Sequence, residues 1–163
     1  MWDNKSERYA GYLKMAGELA SSGVLSNHGG PFGAVIVSKE GEVVGRGYNR
    51  VTSSLDPTAH AEIVAIRDAC TTVKNFKLEG ATIYSSSEPC PMCMAAIYWA
   101  RISKVVYSNS KSEAAKIGFD DLWLDKELHL PLDQRKVKMI HIESPSCKNA
   151  FGDWANKNDK VMY

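Results

Sequence analysis

The chain has 163 residues, enough for one domain with a buried core of its own and no help from disulfides. A hydrophobic share of 44% and a charged share of 24% are those of an average water-soluble globular protein, which excludes a disordered or fibrous chain. Twenty Lys plus Arg against nineteen Asp plus Glu leave a net charge of +1, so there is no broad electrostatic footprint for nucleic acid or an anionic membrane.

The opening "MWDNKSERYAGYLKMAGELA" mixes both charge signs and does not read as a signal peptide, and no run approaches the roughly 18 apolar residues of a membrane span. A cytoplasmic, reducing setting is therefore expected, and with it no disulfides. Residues 7–22 carry Tyr9, Tyr12, Leu13, Ala16, Leu19 and Ala20 at helical spacing, and "GG" at 29 and 30 closes the loop that follows. "FGAVIVSKEGEVVGRGYN" reads as a hairpin of two short strands around a Gly-containing turn. "SSLDPT" breaks the chain, and "AHAEIVAIRDAC" resumes helical spacing through Ala61, Val64, Ala65 and Ala69.

Next come a strand, "ATIYSSS", a helix with proline in its first turn, "PMCMAAIYWAR", and a further strand, "KVVYSN". Trp99 reads as packing. Beyond residue 110 the pattern weakens: "KSEAAKIGFDDLWLDKEL" is partly helical, "VKMIHIES" reads as a last strand, and "CKNAFGDWANKNDKVMY" is a mostly helical, aromatic tail. No repeat or linker interrupts the order, which predicts one α/β domain over 1–163, with a tail from about 145 and helices on the faces of a sheet.

Cys90 and Cys93 stand where a strand hands over to a helix, at a helix start whose exposed N–H groups and dipole favour thiolates. On spacing alone the pair suits a redox dithiol of the thioredoxin kind, two ligands of one zinc, or two merely structural thiols. "PTAHAEIVAIRDAC" adds His60 and Glu62 at the start of the other central helix, again after a proline. His plus two Cys is a zinc donor set with one tetrahedral position open, as a catalytic site requires. Glu62, two residues on, faces away from a fourth ligand position but can reach water at the metal. H-x-E followed by P-C-x-x-C is the signature of zinc-dependent nucleobase deaminases. In that chemistry zinc makes hydroxide available near neutral pH and the carboxylate carries protons from water to a ring nitrogen and the leaving ammonia. Cys70 and Cys147 lack the paired helix-start setting and are not expected to be ligands.

Across "GGPFGAVIV", "DPTAHAEIVAIRDAC", "EPCPMCMAAIYWAR" and "IGFDDLWLDKEL" the sequence resembles the cytidine deaminase superfamily and, within it, the bacterial guanine deaminases, over nearly its whole length. The resemblance implies a three-layer α/β/α fold with a central five-stranded mixed sheet, one Zn2+ per chain, and a homodimer whose C-terminal tails exchange to cover each other's sites. It implies hydrolysis of guanine to xanthine and ammonia, with Glu62 and Asp121 catalytic and Phe32, Asn49, Ala61, Asp121 and Tyr163 around the purine. Asp121, an acceptor only, suits the edge of guanine that carries a ring N–H beside an amino group, and Asn49 can both donate and accept. Three other readings stay open: a guanosine deaminase, a tRNA adenosine deaminase, against which the balanced charge counts, and a thiol oxidoreductase, which gives His60 and Glu62 no task.

Overall fold

The computed structural model describes residues 4–163. Its first helix, α1 (Asn4–Leu25), extends beyond both ends of the span that apolar spacing predicts. β1 (Gly33–Val37) and β2 (Val43–Tyr48) form the expected antiparallel hairpin, in which Ile36 faces Gly45 and Val37 faces Val43, so a bulge at Val44 takes up the odd residue. A single turn, α2 (Val51–Ser54), follows where only a break was expected, stopped by Leu55 in the left-handed region at φ 51°. Then come α3 (Ala61–Val73), β3 (Thr82–Ser87), α4 (Pro91–Trp99) and β4 (Lys104–Asn109), each close to its predicted place. α5 (Lys111–Lys116) opens on a capping box between Ser110 and Glu113.

The strands lie in the order β2-β1-β3-β4, with β1 antiparallel to both neighbours and β3 parallel to β4 across the α4 connection. Alternation sorts the side chains of the sheet onto two faces. Val35, Val37 and Tyr84 pack on the α1 side around Ala16, while Ala34, Ile36 and Ile83 pack with Ala61, Ala65 and Ala69 of α3 and Ile97 of α4. The result is the three-layer α/β/α arrangement anticipated from the sequence. The approach of α3 is unusually close, because a Cβ on Gly47 would lie 2.2 Å from the Ala61 carbonyl oxygen and one on Gly45 2.4 Å from that of Ala65. The G-x-G of β2 thus lets the backbone of α3 rest directly on the sheet, which sinks the first turn of α3 into the molecule.

Two expectations are corrected. Trp99 ends α4 and is 61% exposed, with Arg101 over its ring at 5.9 Å, so a nine-residue helix runs out before this position reaches the core. The fifth strand expected at 137–144 does not form, and the sheet has four strands among the described residues. Met139 and Ile140 are adjacent and break the alternation a strand needs, and Val137, Met139, Ile140 and Ile142 are all exposed.

The chain divides into two compact units, one reaching to Leu122 and the other Trp123–Tyr163. α6 (Leu122–His129) begins at that boundary, and its carbonyl end is capped by the Arg135 guanidinium, which donates to Leu130 at 2.9 Å and to Leu128 at 2.7 Å. α7 (Pro145–Asn156) follows and carries exposed Phe151 and half-exposed Trp154. Residues 157–163 have no regular structure, so the tail is helical only in its first part. Among the described residues no helix is long and apolar enough to cross a membrane.

Candidate active site and metal centre

Two helix starts converge. His60 is the N-cap of α3 and Cys90 the N-cap of α4, while Cys93 lies in the first turn of α4. His60 Nδ1 is 3.6 Å from the Cys90 sulfur and 3.6 Å from the Cys93 sulfur, and the three donor atoms all lie within 4.8 Å of one another. Zinc bonded at about 2.0 Å to nitrogen and 2.3 Å to sulfur, at the tetrahedral angle, sets those donors about 3.6 Å apart. The triangle therefore fits one zinc ion, with His60 in the tautomer that carries its proton on Nε2.

The electrostatics agree. A hydrogen bond from Cys93, then one from His60, pulls the Cys90 thiol down to about 4 against the cost of burial. The same bond, with burial and the nearby Glu62, pushes Cys93 up. His60 is raised, first by its hydrogen bond with Cys90 and then by the charges of Cys90, Glu62 and Asp121, with burial opposing. Cys93 has one proton and two acceptors, the Cys90 sulfur and Glu62 Oε2 at 3.5 Å. A divalent cation in place of that proton neutralises two thiolates at once, which is the chemistry this donor set suits.

Glu62 stands beside the donor triangle and outside it. Only 6% exposed, it accepts from the Ser85 hydroxyl at 3.2 Å through Oε1, and burial is the largest reason its carboxyl is raised from the usual range. A carboxyl so placed is suited to holding a proton and passing it on.

His60, Cys90 and Glu62 line a cleft of about 730 Å³, together with Phe32, Asn49 and Asp121. Asn49 is buried, and its Oδ1 accepts from the backbone N–H of Gly30 and of Val51, each at 3.2 Å. Both acceptor positions are thereby used, so the Asn49 amide can only donate to a ligand, which corrects the expectation that it also accepts. A Cβ on Gly29 would lie 2.2 Å from that Oδ1, so the first glycine of "GG" makes room for the amide. Ala61 is fully buried with its side chain in the core, and what it can offer a ligand is the backbone N–H of the first α3 turn. Tyr163 belongs to the second unit and is 72% exposed, whereas every residue lining the cleft belongs to the first.

Sequence reasoning missed four neighbours. Phe119 meets the Phe32 ring edge-on at 4.9 Å and walls the cleft, but "GFDD" was read for its acids. Glu88 and Lys111 also line the cleft, and Glu88 Oε2 accepts from the Lys111 backbone N–H at 3.3 Å. Ser85 lies behind Glu62, and the signal that marks it is a run of three serines at the buried end of a strand.

Residues 6–109 match the family model for the cytidine and deoxycytidylate deaminase zinc-binding region. The guanine deaminase of Bacillus subtilis (strain 168) is 44% identical over 93% of this chain and 97% of its own. A tRNA-specific adenosine deaminase of Haemophilus influenzae is 35% identical over 79% of this chain and 73% of its own. Among solved structures, that of the Bacillus subtilis guanine deaminase superposes with a TM-score of 0.89 over 99% of both chains at 41% identity. A guanine deaminase from Nitrosomonas europaea superposes with a TM-score of 0.64 over 68% of this chain and 63% of its own, at 27% identity.

Proposed function

This chain belongs to the cytidine and deoxycytidylate deaminase family, and we propose that within it the protein hydrolyses guanine to xanthine and ammonia. The observation that carries the chemistry is the buried Glu62 carboxyl set beside a His60, Cys90 and Cys93 triangle at one cleft. Guanine as the substrate is supported by 44% identity to a guanine deaminase over 93% of this chain, against 34% to a tRNA-specific adenosine deaminase over 94% of it, and by a TM-score of 0.89 to the guanine deaminase structure against 0.59 to a tRNA deaminase structure.

Zinc, held by His60 Nδ1 and the Cys90 and Cys93 sulfurs, supplies when bound the Lewis acidity that brings the ionisation of water toward neutral pH. Glu62 takes a proton from the attacking water at Oε2 and delivers it to the ring nitrogen beside C2. As water's oxygen becomes the new C2 carbonyl, Glu62 passes the second proton to the amino nitrogen, which leaves as ammonia. Asp121 accepts from the donor edge of the base and Asn49 Nδ2 donates to an acceptor on it, so the two fix its orientation. Phe32 and Phe119 form the apolar wall, and the Ala61 N–H adds a donor at the helix start.

The tail 145–163 completes the proposal: exposed Phe151, Met162 and Tyr163 and half-exposed Trp154 support a homodimer in which tails exchange and Tyr163 covers the purine. A cytoplasmic role in purine breakdown fits a chain without a membrane-crossing helix among its described residues. Ammonia release from guanine, guanosine, cytosine, adenine and a tRNA anticodon stem, measured side by side, tests the reading. Guanine is expected to be the preferred substrate, and faster release from guanosine or from tRNA overturns it.

A further inference from the structure

We propose that Ser85 is a positioning residue for the proton carrier, its hydroxyl holding Glu62 Oε1 so that Oε2 stays turned toward Cys93 and the donor triangle. The proposal rests on the deaminase reading above, in which Glu62 moves protons.

Ser85 occupies the middle of β3, paired on one side with Ala34 and on the other with Tyr107. Its side chain points to the same face as that of Ile83, into the layer formed by α3 and α4, and it is 1% exposed. Such a position normally takes an apolar residue, because a buried hydroxyl costs stability unless it is bonded. The single proton of this hydroxyl goes to Glu62 Oε1 at 3.2 Å, across 23 positions of sequence. The two serines that follow serve the backbone instead: Ser86 Oγ accepts from the Gly33 N–H at 3.0 Å, and Ser87 Oγ donates to the Asn109 carbonyl at 3.4 Å. Of the three buried serines, Ser85 alone bonds a titratable side chain.

The last torsion of a glutamate is broad and roughly two-fold, so burial alone leaves the carboxyl free to turn. Close docking of α3 on the glycines of β2 brings Glu62 within reach of β3, and Ser85 then pins one oxygen. Oε2 is left 3.5 Å from the Cys93 sulfur. With Oε1 held by the Ser85 O–H, the carboxyl is fixed in the orientation that turns Oε2 toward the donor triangle.

The test compares Ser85→Ala, Ser85→Thr and Ser85→Val with the parent protein by kcat and KM for guanine, with zinc content and Tm measured for each. Loss of a hydrogen bond to a charged group predicts that Ser85→Ala lowers kcat about 10- to 100-fold, with KM within about threefold and zinc retained. Ser85→Thr, which restores the hydroxyl, recovers most of the rate, while Ser85→Val, which has the shape of threonine without its donor, does not. An alanine variant with kcat within about twofold of the parent overturns the proposal, as does a threonine variant as slow as the valine one. If the parent protein releases no ammonia from guanine, the substrate assignment has failed first. The positioning role is then decided by crystal structures of the parent and Ser85→Ala, where a Glu62 carboxyl that stays in place overturns it and one that turns or disorders supports it.

Discussion

Replacing Gly47 by alanine adds one methyl group and tests whether the closeness of α3 to the sheet is what builds the site. The new Cβ would stand 2.2 Å from the Ala61 carbonyl oxygen and 2.5 Å from the Ala65 nitrogen, both backbone atoms that no side-chain rotation can move aside. A carbon and a carbonyl oxygen in contact need about 3.3 Å, so α3 must retreat by about 1 Å at its first turn. Overpacking of that kind costs about 1–3 kcal/mol, and for a chain of this size each kcal/mol lowers Tm by about 2–4 °C. The same shift carries His60 and Glu62 away from α4 and β3, and a misplacement of about 1 Å costs on the order of a hundredfold in rate. Gly17→Ala is the control, since nothing lies within 4 Å of its Cβ and the same substitution inside α1 should stabilise by roughly 0.5–1 kcal/mol. Thermal unfolding, zinc per chain and kcat/KM on guanine are to be measured for both. A Gly47→Ala protein with the parent's Tm and kcat/KM would refute the reasoning.

Glu62→Gln keeps the shape and loses the proton acceptor, so it should retain zinc and fold while kcat falls about 10²- to 10⁴-fold, as metal analysis and steady-state kinetics will show. Cys70→Ser and Cys147→Ser should each keep about one zinc per chain, because His60, Cys90 and Cys93 are the group that could hold the ion and make up the three-ligand set proposed for it. Asn49→Ala leaves the Gly30 and Val51 N–H groups without their acceptor, which should lower stability by about 1–3 kcal/mol in urea unfolding and raise KM for guanine. A chain ending at Ser144, before α7, should keep zinc but lose guanine turnover and dimer stability by sedimentation, and near-parental kcat/KM would remove the tail from the proposed mechanism.

The layer order was legible because the strands and the longer helices of the first unit each carry a local signal. Alternation in "GAVIV" sorts Val35 and Val37 from Ala34 and Ile36, and the two prolines at 57 and 91 announce the starts near which His60 and Cys90 sit. Residues 137–144 misled because four apolar side chains specify neither a face nor a partner, and a strand exists only where another backbone completes its ladder. α2 left no trace in the pattern, since four residues are too few for a helical period to show.

The donor set was legible for a different reason: ligand identity and spacing are local, so H-x-E and C-x-x-C can be read one helix start at a time. What was not legible is every contact made between elements. Asn49 was expected both to give and to accept, and it gives only, because the N–H groups of Gly30 and Val51 arrive from either side of it in the fold. Ser85 was read as part of a strand and nothing more, yet it meets a side chain 23 positions earlier through a helix that two glycines allow to sit against the sheet. The metal ligands could stay within reach of one another with α3 a little higher, because a coordination site draws its own ligands together. The bond between Ser85 and Glu62 has no such ion to assemble it, and so it depends on the packing distance that Gly45 and Gly47 set. The proposed proton-carrying side of the site is for that reason the part most sensitive to the architecture behind it, and Gly47→Ala should damage turnover more than it damages zinc binding.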